Sequence, residues 1–276
     1  MRYSTTQKLR NADRIIFGDV LAGISVALLL IPQSMAYAEL AGLPPEIGLF
    51  ASALPPIFAA FVASSPYLQT GPVALTSLLT LGALSGLADA GTTHYVELAA
   101  LLALIVGISR LIFGFLRLGN LVYLMNAPVV TGFTSAAVIL IIASQIPKTI
   151  GNEINANGTL NRAFRSLSDF ENWEIESLLI SGVTIFLIIV GKYIHKLFPG
   201  ALLVLVAGSI YSHLSDYKGP VVGEIPTGIP DLGFGLPWGS VDELFLSGIV
   251  IALIGFAEPA SISRIFASQE NQRWSA

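Results

Sequence analysis

Ser64-Ser-Pro-Tyr-Leu-Gln-Thr-Gly-Pro-Val-Ala-Leu-Thr-Ser-Leu-Leu79 reads as a membrane crossing whose helix begins only part way through the bilayer. Proline fixes its own φ and lacks an N–H, so Pro72 after Gly71 suits the first turn of a helix, while Tyr67-Leu68-Gln69-Thr70 reads as an extended strand. A helix from Pro72 to Leu87 rises about 22 Å against a hydrocarbon core of about 30 Å. The remaining depth must be crossed by non-helical chain. Such backbone is tolerated inside a membrane only where protein or a water-filled cavity covers it. Free N–H groups at a helix start attract anions. This segment alone points to an anion transporter.

The rest of the chain supplies the membrane setting. It is 54% hydrophobic and 12% charged, with a mean hydropathy of +0.74, where a soluble domain carries about 25% charged residues. The net charge of −4 says little about partners, because only the position of charges relative to the apolar spans matters. No basic tract or aromatic RNA-type motif suggests nucleic acid. The absence of cysteine excludes disulfides and thiolate metal sites. His94, His195 and His213 have no metal-ligand spacing, so neither a metal nor any other cofactor is expected. The polar start from Met1 to Arg14 and the apolar run behind it lack a small-residue cleavage site, which predicts an uncleaved first span.

Eight apolar segments emerge, at 16–38, 45–63, 67–87, 95–116, 128–147, 176–197, 199–214 and 244–267. With the N-terminus inside, Arg2, Lys8, Arg10, Arg14, Arg110, Arg117, Lys192, Lys196, Arg264 and Arg273 fall on the cytoplasmic side. Lys148, Arg162, Arg165 and Lys218 fall outside, a bias that predicts cytoplasmic termini. The outer stretches Gly151–Glu174 and Ser215–Glu243 read as surface loops with turns. Asn157-Gly158-Thr159 fits a glycosylation tripeptide, a pattern common by chance. Residues 117–127 suit either a short helix along the inner interface or an ordinary connection before Pro128.

Two places inside the spans carry polar chemistry. Gln33 and Tyr37 are four apart and share a helix face, beside Ser34 and just after Pro32. Hydrogen bonding between helices and contact with a ligand are both open readings of that stripe. Glu258, in Ile-Gly-Phe-Ala-Glu-Pro-Ala-Ser-Ile-Ser-Arg264, is the one acidic residue placed well within a span. Ionisable groups there mark ion or proton paths, and desolvation equips a carboxyl to load and release a proton. A structural partnership with Arg264, itself expected to snorkel to the cytoplasmic face, is the competing reading. Glu39 and Glu46 flank the tight turn Gly42-Leu43-Pro44-Pro45 and are expected to be solvated.

Together these blocks resemble the SulP family of sulfate permeases and related anion exchangers. The resemblance rests on Ile31-Pro-Gln-Ser-Met-Ala-Tyr-Ala-Glu-Leu-Ala-Gly-Leu-Pro-Pro45, Gly48-Leu-Phe-Ala-Ser52 with Pro55-Pro56, Gln69-Thr-Gly-Pro-Val-Ala74 and Gly255-Phe-Ala-Glu-Pro-Ala-Ser-Ile-Ser-Arg264. It implies an all-α membrane protein built as a seven-plus-seven inverted repeat, in which the anion lies between the half-helices of the third and tenth spans. A core of spans one to four and eight to eleven is implied to move against a gate domain, usually in a homodimer, and a cytoplasmic STAS domain normally follows. Residues 1–276 then hold about eight spans of a partial transmembrane domain, without the tenth span, the rest of the second repeat or the STAS domain. The resemblance thus implies a longer reading frame and no transport by this polypeptide alone.

Carried over residue by residue, Gln33 and Tyr37 match first-span anion-site positions. Gly71, Pro72, Val73 and Ala74 match the half-helix start, and Glu258 matches the eighth-span acidic position linked to proton or cation coupling. Pro259 departs from the pattern and is expected to kink the helix or reorient Glu258. The expectation is secondary active transport of an inorganic anion, foremost sulfate with protons, in a bacterial inner membrane; sodium is the other candidate coupling ion. Exchange or symport of bicarbonate, chloride or a dicarboxylate is the alternative, and a non-transporting sensor or scaffold is the reading from another class. An enzyme would require clustered catalytic groups at one depth, and the sequence displays none.

Overall fold

Apolar runs of membrane-crossing length have one way to satisfy their backbone in lipid without a closed barrel, which is to form helices. In the computed structural model all eight runs do so. The described residues are 5–62, 70–116, 127–152, 154, 156, 158–194, 200–215, 217, 225 and 235–269. In chain order the helices are α1 (Thr5–Leu40), α2 (Pro45–Val62), α3 (Ala74–Leu84), α4 (Thr93–Phe115), α5 (Ala127–Ile150), α6 (Thr159–Ser168), α7 (Ile175–Ile194), α8 (Gly200–Leu214) and α9 (Val241–Gln269). No strand occurs among the described residues. Four of the helices are long and apolar enough to cross a membrane, over Ala22–Leu40, Pro45–Val62, Thr93–Phe115 and Trp238–Ala260. The expected inner-interface segment at 117–126 lies outside the described residues.

The chain forms two compact units. Residues 1–33 with 179–219 make the first, and 34–178 with 220–276 the second. In the first unit, apolar side chains such as Ile24, Leu28, Ile185, Phe186, Ile189 and Ile210 are exposed, as suits helices facing lipid.

The core of the second unit is the face that α4 presents to α9. Tyr95, Leu98, Leu101, Leu102, Ile105 and Ser109 recur three or four apart along α4 and are all buried. They pack with Leu84, Leu244 and Ile251. Gly248 permits the close approach of α9, since a Cβ there would lie 2.5 Å from Ile105 Cγ2. The start of α4 is capped by Thr92, whose Oγ1 accepts from Tyr95 N–H at 3.2 Å. The Tyr95 hydroxyl then donates to the Ala41 carbonyl at 2.7 Å, tying α4 to the turn that ends α1. Gly42 makes that turn with φ +77°, a left-handed conformation that a side chain would strain.

Two expectations are revised here. The stretch after α5 is not a loop of turns, because α6 occupies Thr159–Ser168 and packs on α5 through Ala163 and Ser166. Leu160, Phe164 and Leu167 form its opposite, exposed stripe. The segment is further fixed by Trp173 Nε1 donating to the Ser166 carbonyl (3.0 Å) and Asn152 Nδ2 to Asp169 Oδ2 (3.1 Å). These donors hold the Asp169 carboxyl below the usual aspartate range, with Asn172 contributing most and Asn152 next. Second, Glu39 is exposed yet pairs with Lys148 at 2.5 Å, joining the end of α1 to the end of α5. Helix α9 spans Val241–Gln269 with Pro259 inside it.

Candidate functional site

The third crossing is broken, as its sequence demands. Thr70 to Val73 are non-helical, and α3 then runs for 11 residues, about 16 Å of rise. Its start falls two residues later than the sequence predicts. Val73 sits at φ −130°, ψ 134° as the N-cap, so Pro72 precedes the helix and does not occupy its first turn. A β-branched residue is at home in that extended conformation, and its carbonyl still receives the first helical bond from Ser77 N–H at 3.0 Å. Tyr67, Leu68 and Gln69, the rest of the expected extended stretch, lie outside the described residues.

Among the described residues, no side chain caps α3. Thr76, which has a hydroxyl in the first turn, donates it backward to the Val73 carbonyl at 3.0 Å. The N–H groups of Ala74, Leu75 and Thr76 thus start a helix with no intrahelical acceptor. Gly71, Pro72, Val73 and Ala74 are half-buried, and Leu75 is buried. This gives the second unit a concentration of N–H donors and positive dipole at the start of a short apolar helix.

The middle of α9 meets this turn. A Cβ built on Gly255 would lie 3.3 Å from Thr76 Cγ2 and 3.2 Å from Arg110 Cζ, and would collide with an Arg110 guanidinium nitrogen. The guanidinium of α4 is therefore beside the first turn of α3 and against α9. Glu258 is half-buried one turn beyond Gly255, on the same side of α9. Among the described residues, the ion pairs are His94 with Glu97 and Lys148 with Glu39, so Arg110 and Glu258 are not joined as a pair. The side chain of Arg264 is outside the described ones.

Of the first-span pair, Tyr37 is half-buried in the part of α1 belonging to the second unit, next to the buried Ser34. Gln33 is exposed and closes the first unit. Ser34 and Gly48 bring α1 and α2 together so tightly that a Cβ on Gly48 would overlap the Ser34 carbonyl. Thr76 in the first turn of α3 and Gly255 on α9 are brought together; Gln33 belongs to the other unit. A separate cavity of about 780 Å³ runs along α3 between Leu75, Leu79, Leu140 and Val250. Its lining is aliphatic apart from a few groups such as Asp89 and Arg162, and none of the sequence-predicted site residues lines it.

Comparison with known proteins now gives this arrangement a family. The sulfate permease family matches residues 16–276. The chain is 34% identical over 261 residues to probable sulfate transporter 4.2 of Arabidopsis thaliana, covering 91% of this chain and 39% of that protein. It is 35% identical over 271 residues to probable sulfate transporter Rv1739c of Mycobacterium tuberculosis, covering 95% and 48%. Prestin of Danio rerio is 31% identical, with 91% of this chain and 39% of prestin covered. The chain thus spans less than half the length of these curated relatives. The fold is similar to that of murine Solute Carrier 26 family member A9 in the inward-facing state, with a TM-score of 0.83 at 22% identity over 94% of this chain and 47% of that one. It is also similar to the transmembrane domain of the cyanobacterial bicarbonate transporter BicA, with a TM-score of 0.79 at 21% identity over 94% and 68%. With its apolar helices and its match from residue 16 to residue 276, this multi-pass membrane protein belongs to the sulfate permease family.

Proposed function

We propose that the chain forms part of a secondary active transporter of inorganic anions, with sulfate as the foremost substrate and protons as the coupling ion. The observation that carries the proposal is the uncapped start of α3 inside a broken crossing. A helix end left without side-chain partners, in a place lipid cannot solvate, is completed by an anion that accepts from its N–H groups. The relatives named as sulfate transporters support the choice of oxyanion. Gln33 and Tyr37 would add side-chain donors from the first span, Gly71 and Pro72 would shape the approach to Val73 and Ala74, and the mirror-related part of the site would come from chain beyond this stretch.

Glu258 takes the coupling role in this scheme. Protonation converts its carboxylate to a neutral acid, which removes a negative charge one turn from the Gly255 contact with α3 and so lowers the cost of loading an anion. Release of the proton restores the repulsion and favours unloading. Glu258→Gln in the full-length gene product should leave anion binding intact and abolish the pH dependence of uptake into proteoliposomes. Retained pH-driven accumulation would remove Glu258 from the coupling path. We place the protein in the inner membrane of a bacterium with cytoplasmic termini and a homodimeric assembly, on the strength of the charge bias and the family.

A second reading is exchange of bicarbonate, chloride or a dicarboxylate. It is favoured by the composition of the site, since backbone N–H groups and a helix dipole supply much of the attraction and do not by themselves discriminate sharply among oxyanions. Competition of labelled sulfate uptake by each anion separates the two. A sensor built on the same fold would bind anion without moving it.

A further inference from the structure

Arg110 has no part in the site as read from sequence, yet its position is unusual for a membrane cation. Gly255, against which the guanidinium lies, is five residues before Ala260, where the apolar stretch Trp238–Ala260 ends. Arg110 itself is only five residues from the end of α4 at Phe115, within about 8 Å of helix rise. A long basic side chain so near a helix end ordinarily reaches outward to the interface. Here the head lies against α9 beside the first turn of α3, and the residue retains exposed surface. An arginine stays charged under all physiological conditions, and such a group inside a span marks a substrate or ion pathway. The natural counter-charge, Glu258, is nearby on α9 but forms no ion pair with it among the described residues.

We propose that Arg110 is a specificity-determining residue of the anion site, a fixed positive charge that sets its preference for divalent over monovalent anions. This rests on the reading of the α3 start as the anion site. The backbone N–H groups and the dipole supply partial charge to any anion. A dianion desolvated at the same place gains about twice as much from a whole positive charge as a monoanion does, so removing that charge penalises sulfate more than chloride. The missing Cβ of Gly255 is what admits the guanidinium. Gly255→Ala would displace the head while keeping its charge, and the displaced atom is the far end of a flexible side chain, which can move without unfolding the helix pair.

The test uses the full-length gene product in proteoliposomes, with labelled sulfate and chloride as competitor. Arg110→Gln should lower the preference for sulfate over chloride at least tenfold. Arg110→Lys should restore part of it, and Gly255→Ala should give an intermediate loss. A sulfate-to-chloride ratio unchanged in Arg110→Gln and Gly255→Ala would overturn the proposal, even if total uptake fell, because a purely structural arginine would reduce both anions alike. Should Arg110→Gln fail to fold, the same ratio is read in Arg110→Lys and Gly255→Ala from stabilisation of the purified proteins against heating by sulfate and by chloride. Wild-type protein that is neither stabilised by nor transports any anion would instead overturn the underlying site reading, and the charge-selectivity claim with it.

Discussion

The helices α3 and α4 are neighbours of similar apolar character that end up with opposite jobs. Helix α4 has 23 residues, about 34 Å of rise, and a start sealed by the Thr92 hydroxyl. Its buried stripe from Tyr95 to Ser109 makes it the scaffold on which α9 packs. Helix α3 has less than half that length and a start that no side chain seals. Its one first-turn hydroxyl, on Thr76, bonds to the Val73 carbonyl and leaves the N–H groups open. The difference teaches that the proposed site lies where a helix could readily have been capped and was not. A single Ser, Thr or Asp at position 73 would have stabilised α3 by about 1 kcal/mol.

That alternative supplies the strongest way to break the comparison. Val73→Asp provides an N-cap acceptor and places a negative charge where the anion is proposed to bind. Labelled-sulfate uptake by the full-length gene product should fall at least a hundredfold, and heat stabilisation by sulfate should disappear, while the protein without sulfate melts no lower than wild type. Undiminished sulfate stabilisation in this variant would show that the α3 start is not the site.

The scaffold side responds differently. Tyr95→Phe removes the hydroxyl that donates to the buried Ala41 carbonyl and should destabilise the fold by about 1–2 kcal/mol. Thr92→Ala removes the α4 cap and should cost about 1 kcal/mol or less, since Thr92 is exposed. In both, the midpoint of unfolding moves but the sulfate concentration giving half-maximal stabilisation does not. A large loss of anion affinity in Thr92→Ala would erase the distinction between the two helices.

The smallest effect expected is at Asp169, outside the spans. Its pKa is lower in the folded protein than in the unfolded chain, so the unfolded state binds the extra proton as acid is added. The stabilisation is complete above the ordinary aspartate value near pH 3.9 and is lost as pH falls below it. Asp169→Asn should therefore flatten the acid side of a melting-temperature profile below about pH 4 and leave its pH dependence at neutrality unchanged. A changed slope between pH 6 and 8 would contradict the assignment.

Much of the architecture was legible because lipid makes hydropathy a direct report of helix position. All eight apolar runs became helices, and the Gly71-Pro72 punctuation announced the break before α3. The start at Ala74 was missed by two residues because Pro72 is compatible with either side of a helix boundary, and Val73 decided it by remaining extended. Helix α6 escaped notice because ten residues with two arginines resemble a polar loop when averaged; the spacing of Leu160, Phe164 and Leu167 was the available signal. Pro259 lies inside α9 without ending it.

The site was legible only in part, since contact between distant segments leaves no local trace. Glu39 and Lys148 are 109 positions apart, and nothing in either neighbourhood announces their pairing. Arg110 was read as an interfacial charge because it stands near the end of a span. What admits its head against α9 is the absence of a side chain at Gly255, on another helix, and a glycine within an apolar helix has many ordinary explanations.

The most direct measurement is to locate a bound selenate ion, an electron-dense stand-in for sulfate, in a structure of the full-length gene product. The account predicts selenate oxygens within hydrogen-bond distance, about 2.7–3.2 Å, of the N–H groups at Ala74 to Thr76. Selenate bound at saturating concentration elsewhere, with those N–H groups satisfied by protein, would contradict it.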